Sequence, residues 1–179
     1  MNNKIITIPN ILTVIRFFLI PIFITLFLFG LETFAFVVFI IAGLTDALDG
    51  YIARKYQLIS NIGKVLDPLA DKALRLSAVI VFVIVGVLPL WVLVLMLSFD
   101  AFLIVTSIIL YNKKYVVSSN IYGKLAGFVS MLALISCFFH TFVAPVHLVL
   151  VYISLVFIFV SIVSYIIKVK QDVGVLPLN

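Results

Sequence analysis

Between Thr45 and Arg75 this chain gathers four of its seven acidic residues, Asp46, Asp49, Asp67 and Asp71, beside Arg54, Lys55, Lys64, Lys72 and Arg75. The segments on either side are apolar over about 20 residues at a time, the length a helix needs to cross a bilayer. An ionisable side chain near the bilayer centre costs about 2.5–3.5 kcal/mol on insertion scales, so four unpaired carboxylates at that depth would cost on the order of 10 kcal/mol, comparable with the whole stability of a domain. Any fold open to this chain must bring the charged stretch near water, supply it with cations, or do both.

The residues are 65% hydrophobic and 11% charged, against roughly 45–50% apolar and 25% charged for a soluble domain. The pattern predicts an all-α integral membrane protein: a bundle of six transmembrane helices with a short juxtamembrane N-terminal segment, residues 1–179 forming one domain. The predicted spans are Ile11–Phe29, Thr33–Ala53, Asp67–Leu88, Pro89–Tyr111, Ile121–Phe142 and Val146–Ile167. Asn10 or Thr7 caps the first, Pro21 kinks it and Gly30 closes it, while Ile5, Ile6, Ile8, Ile11 and Leu12 are expected along the membrane surface. The segments are too long and too uniformly apolar for the alternating strands of an outer-membrane barrel.

The net charge of +5 does not point to nucleic acid, because the cations sit between apolar spans rather than on one basic surface. Lys4 and Arg16 lie at the start, the Arg54–Arg75 cluster between spans two and three, Lys113, Lys114 and Lys124 between four and five, and Lys168 and Lys170 at the end. The alternate loops, near Glu32, Pro89 and Pro145, carry no Lys or Arg, which predicts both termini and the charged stretch on the cytoplasmic side. Arg16 interrupts the first apolar run and no small-residue cleavage pattern follows, so the N-terminus is read as part of the mature chain. Cys137 is the single cysteine, which excludes an intrachain disulfide and suits a small packing residue.

Asp46 and Asp49 are three residues apart and Asp67 and Asp71 four apart, so each pair shares one helix face. Oxygen-rich clusters of this kind suit Mg²⁺ or Mn²⁺. Gly50, Ala53 and Gly63 remove bulk on or beside those faces, and Arg54 can grip a phosphate through two hydrogen bonds. Together they describe a site for a metal-bound phosphate compound. A purely structural account would make Asp67 the N-cap before Pro68, Asp71 and Arg75 an ordinary helical ion pair, and Gly50 and Ala53 packing residues. It does not explain why four carboxylates share two faces beside a bilayer.

The run Asp46-x-x-Asp49-Gly50-x-x-Ala53-Arg54, eight residues, then Gly63-x-x-x-Asp67-x-x-x-Asp71 resembles the full signature of the CDP-alcohol phosphotransferases, with every fixed position present. The resemblance spans the chain, since that family is built of six transmembrane helices. It implies a site for two Mg²⁺ or Mn²⁺ ions formed by Asp46, Asp49, Asp67 and Asp71, with Asp71 as general base. It also implies that Gly50, Ala53, Arg54, Ser60 and Gly63 hold the CDP moiety, with Asn10 and Thr13 on the same donor side. A bacterial-type cytoplasmic membrane, CDP-diacylglycerol as donor and a homodimer are further implications.

The opening Ile8-Pro9-Asn10-Ile11-Leu12-Thr13-Val14-Ile15-Arg16 and the run Asn61–Lys72 are similar to those of phosphatidylglycerophosphate synthases, whose acceptor is glycerol 3-phosphate. Lys124, Arg75 and Lys72 are the expected cations for that acceptor's phosphate, with Arg16 more remote. Phe99 stands where many such relatives carry an arginine, before Asp100. Cardiolipin synthases of the same family share the opening and the Asp-Pro-Leu-Ala-Asp-Lys run, so phosphatidylglycerol remains an alternative acceptor. A small transporter using buried carboxylates is the reading from a different class.

Overall fold

Thr7 starts the first helix. Its hydroxyl accepts the Asn10 amide at 3.4 Å, satisfying one N–H that a helix start leaves without an intrahelical partner. The computed structural model describes residues 7–56, 63–112 and 121–174. Helix α1 (Ile8–Leu28) therefore takes up Ile8, Ile11 and Leu12, which were expected along the surface, and Pro21 lies inside it; Ile5 and Ile6 fall outside the described residues. Gly30 ends α1 as expected. At φ +78° it lets its own amide reach the Phe27 carbonyl and the Leu31 amide reach that of Leu26, each at 3.0 Å. That closure turns the chain straight into α2 (Glu32–Lys55), with Glu32 in its first turn, where the helix dipole favours negative charge.

Helix α3 (Gly63–Ile84) begins four residues before Asp67, so Asp67 is not an N-cap. Pro68 sits early inside α3, where its ring removes one backbone hydrogen bond without ending the helix. α3 also stops short of the predicted Leu88, and Gly86 takes a positive φ of 78° two residues on. There follow α4 (Leu90–Asn112), α5 (Ile121–Phe138), the single turn α6 (His140–Val143) and α7 (Val146–Gly174). The predicted fifth span thus breaks into α5 and α6, and the sixth runs past Ile167.

Among the described residues four helices are long and apolar enough to cross a membrane: α1, α2, α5 and α7, over 20, 22, 18 and 24 residues. Among the described residues α4 is apolar over Leu90–Thr106, and the first half of α3 carries Lys64, Asp67, Asp71, Lys72 and Arg75. The expected six spans are therefore met by length and composition in four helices. Large side chains such as Phe18, Phe34, Phe128 and Phe159 point outward, as lipid-facing residues do.

The chain divides into two compact units, Met1–Val85 and Gly86–Asn179. In the first, α1 packs along both α2 and α3, which touch each other less. A cluster of aromatic rings holds this unit together. Phe23, Phe39 and Phe82 are fully buried, Phe23 lies 5.5 Å from Phe39, and Phe27 meets Phe82 edge-on at 5.4 Å. Phe82→Ala is expected to cost about 3–5 kcal/mol through the cavity it leaves. A fall in the unfolding midpoint in detergent checks this; an unchanged midpoint refutes it.

In the second unit α5 packs on α7, with α4 also against α7. Ala126, Ser130 and Ala133 on α5 and Ser154 on α7 are buried there, small residues that let two helices approach closely. Cys137 is buried and packs as expected.

Candidate active site

The first unit brings the carboxylates together through α1. Arg16 is fully buried, a costly position for a guanidinium unless carboxylates surround it. Its Nη2 donates to Asp49 Oδ2 at 2.5 Å, and its Nε reaches Thr45 Oγ1 at 3.5 Å. Nη1 lies 2.9 Å from Asp46 Oδ1, a contact between charges without the angles of a hydrogen bond. Asp46 and Asp49 thus share one face of α2, and one guanidinium spans both.

Thr13 lies one turn before Arg16 on α1 and is also fully buried. Its hydroxyl is 2.5 Å from Asp67 Oδ1 and 3.1 Å from the Pro9 carbonyl. With one proton to give, it donates to the nearer, charged oxygen. Arg75 Nη2 donates to Asp71 Oδ2 at 2.9 Å, one turn along α3, and among the described residues its buried Nε has no partner. The exposure is graded. The side chain of Asp49 is 3% exposed, those of Asp46 and Asp71 45% and 40%. The carboxylates also repel one another: Asp46 feels the charges of Asp67 and Asp71, and Asp49 those of Asp46 and Asp67.

The remaining expected site residues are placed as follows. Gly50 and Ala53 are half-buried on α2 and Gly63 is buried at the start of α3. Asn10 is buried near the start of α1. The side chain of Arg54, and Ser60 altogether, lie outside the described residues. Lys72 is half-buried on α3, while Lys124 is exposed on α5 of the second unit. Arg16 is the residue the sequence misplaced. The sequence reads it as a topology signal and as the more remote of the cations for the acceptor phosphate, yet it touches two of the four carboxylates. The available signal was a single cation deep in an apolar span, which calls for a partner.

The sequence profile of the CDP-alcohol phosphatidyltransferase family matches residues 6–163. The chain belongs to this family. It is 34% identical over 147 residues to the CDP-diacylglycerol–glycerol-3-phosphate 3-phosphatidyltransferase of Bacillus subtilis, covering 74% of this chain and 76% of that protein. It is 30% identical over 180 residues to a probable phosphatidylglycerophosphate synthase of Mycobacterium tuberculosis, covering 96% and 85%. It is also 36% identical over 139 residues to the CMP-forming cardiolipin synthase of Streptomyces coelicolor, covering 74% and 65%. The protein is thus a phosphatidyltransferase and an integral membrane enzyme, and the transport reading gives way.

The donor set of this phosphatidyltransferase suits a hard divalent cation. Among the described residues no three carboxylate, histidine or cysteine side chains close around one point as a metal cage. The contacts give a physical reason, since Arg16, Thr13 and Arg75 each hold carboxylate oxygens. Yet each of the four carboxylates is held through one oxygen only in these contacts, Oδ1 of Asp46 and Asp67 and Oδ2 of Asp49 and Asp71. In the described ion pairs three carboxylates, Asp46, Asp49 and Asp71, share two guanidinium groups. Oxygen ligands with excess negative charge are what Mg²⁺ and Mn²⁺ require.

Proposed function

We propose that the protein transfers the phosphatidyl group of CDP-diacylglycerol to the hydroxyl of glycerol 3-phosphate, forming phosphatidylglycerophosphate and releasing CMP. The observation that carries this is the match to the probable phosphatidylglycerophosphate synthase over 96% of the chain, alongside the Bacillus subtilis relative named for glycerol 3-phosphate. In this reading the acceptor oxygen bonds to the phosphorus that bears diacylglycerol, and the bond from that phosphorus to the oxygen retained by CMP breaks. Asp71, with a partly exposed side chain on α3, takes the hydroxyl proton. Asp46, Asp49, Asp67 and Asp71 would hold Mg²⁺ or Mn²⁺, which when bound supplies positive charge to the pyrophosphate.

Gly50, Ala53, Arg54, Ser60 and Gly63 are assigned to the CDP moiety, with Asn10 and Thr13 at its edge. The Nε of Arg75, without a partner among the described residues, is assigned with Lys72 to the acceptor phosphate. Transfer is direct, since no cysteine or serine–histidine arrangement in the sequence offers a covalent route and Cys137 is buried. Both termini and the charged stretch face the cytoplasm, the 179 residues act as one domain, and the enzyme works as a homodimer.

Purified protein given labelled CDP-diacylglycerol with Mg²⁺ or Mn²⁺ is expected to release CMP when glycerol 3-phosphate is added and to yield phosphatidylglycerophosphate. Chelation should stop the release and either metal should restore it; turnover that survives chelation refutes the metal assignment. A second reading, phosphatidylglycerol as acceptor and cardiolipin as product, is favoured by Phe99 in place of an arginine and by the cardiolipin synthase relative. Formation of cardiolipin alone would establish it over the first.

A further inference from the structure

We propose that Thr13 and Arg16 are positioning residues for the carboxylate site: Arg16 fixes one oxygen of Asp49 and holds one of Asp46 by charge, Thr13 fixes one oxygen of Asp67, and the other oxygens are thereby presented to divalent cations. This rests on the reading of those carboxylates as ion ligands. Both residues lie on α1, outside the Asp46–Asp71 run that carries the chemistry. They are one turn apart, both fully buried, and α1 is the helix that packs against α2 and α3 alike.

Stability alone gives a poor account of them. A buried ion pair can often be replaced by packed apolar side chains with no loss of stability, so Arg16 inside an apolar helix is not explained by holding the helices together. What an apolar residue could not do is orient two carboxylates. The guanidinium is planar and offers its donors in a fixed fork: Nη2 donates to Asp49 and Nε to Thr45, which sets Nη1 2.9 Å from Asp46 as a contact between charges. Thr45 is itself tied to its own helix by donation to the Ala42 carbonyl at 2.6 Å. Thr13 does the same for α3 with a single hydroxyl. Partners that orient ion ligands in this way govern affinity strongly, and their loss commonly weakens metal binding about 10–100-fold.

Charge and position make opposite demands, which allows a clean test. If Arg16 were only a counter-charge, removing it would make the site more negative and Mn²⁺ would bind more tightly. If it positions ligands, Mn²⁺ binds more weakly although the site has gained negative charge. Mn²⁺ is titrated into the purified, detergent-solubilised protein and the free ion is followed by electron paramagnetic resonance, with no substrate present. Arg16→Gln, which removes the charge, and Arg16→Lys, which keeps it without the fork, are both expected to raise the Mn²⁺ dissociation constant about tenfold. Thr13→Val, of nearly the same shape, should raise it as well. That variant leaves the Arg16 pairs intact and decides the matter if the Arg16 variants do not fold. Binding by the variants as tight as or tighter than that of the unsubstituted protein overturns the inference alone. Absence of Mn²⁺ binding by the unsubstituted protein overturns the ion-ligand reading, and this inference with it.

Discussion

Asp71→Asn is expected to lower CMP release by about 10²–10⁴-fold, the range that a positioned general base contributes. The substitution keeps the size and shape of the side chain and removes its capacity to take a proton from the acceptor hydroxyl. The fold should survive. Asp71 is on a partly exposed face of α3, its one described contact is the 2.9 Å pair with Arg75, and an amide oxygen can still accept from that guanidinium. A helical pair of this spacing is worth about 0.3–0.5 kcal/mol where exposed, and here the amide keeps the contact with the part-buried Arg75, so the unfolding midpoint should move little. Asp71 is also assigned to the metal set, so the comparison is made at saturating Mg²⁺ or Mn²⁺, where the amide oxygen can still serve as a ligand and the loss should fall mainly on kcat, because the proton moves in the reaction and not on donor binding. Near-normal turnover by the folded variant would remove Asp71 from the role of base.

The parts of this site that depend on one helix at a time were legible in the sequence. The spacing of Asp46 and Asp49 put both on one face, and the structure sets one guanidinium against the pair. Gly30 marked the end of α1, because only a residue free to take a positive φ closes a helix in that way. What one helix cannot reveal is its neighbour. α1 is apolar nearly all round, so no periodicity tells which side meets α2 and which meets α3, and Arg16 read as a flanking charge when it is an internal one. The start of the third span was placed too late for a related reason. An acidic residue before proline looks like a helix start, but the helix had begun at Gly63 and Asp67 instead receives the Thr13 hydroxyl from α1. The span count also depends on context. α3 joins a charged half to an apolar half, so its composition as a whole does not meet the measure that α1, α2, α5 and α7 satisfy.

Asp49→Ala is expected to cost about 3–5 kcal/mol of stability, the penalty for leaving a buried charge without its partner. Asp49 is nearly as buried as Arg16, and the Nη2 contact between them is the shorter of the two that Arg16 makes to carboxylates. Asp46 remains after the substitution, but its side chain is 45% exposed and its contact with Nη1 lacks hydrogen-bond geometry, so it offsets little of the loss. For the same reason Asp46→Ala should destabilise less than Asp49→Ala. The cause can be isolated with a cycle. If the cost of Asp49→Ala is the stranded guanidinium, then Arg16→Met with Asp49→Ala should recover most of the stability while activity stays lost, because the double variant replaces the pair with apolar side chains. Unfolding midpoints of the two single variants and the double variant in one detergent measure this. Additive losses would mean that Arg16 and Asp49 contribute independently, and the contact between α1 and α2 would then have to be explained by packing alone.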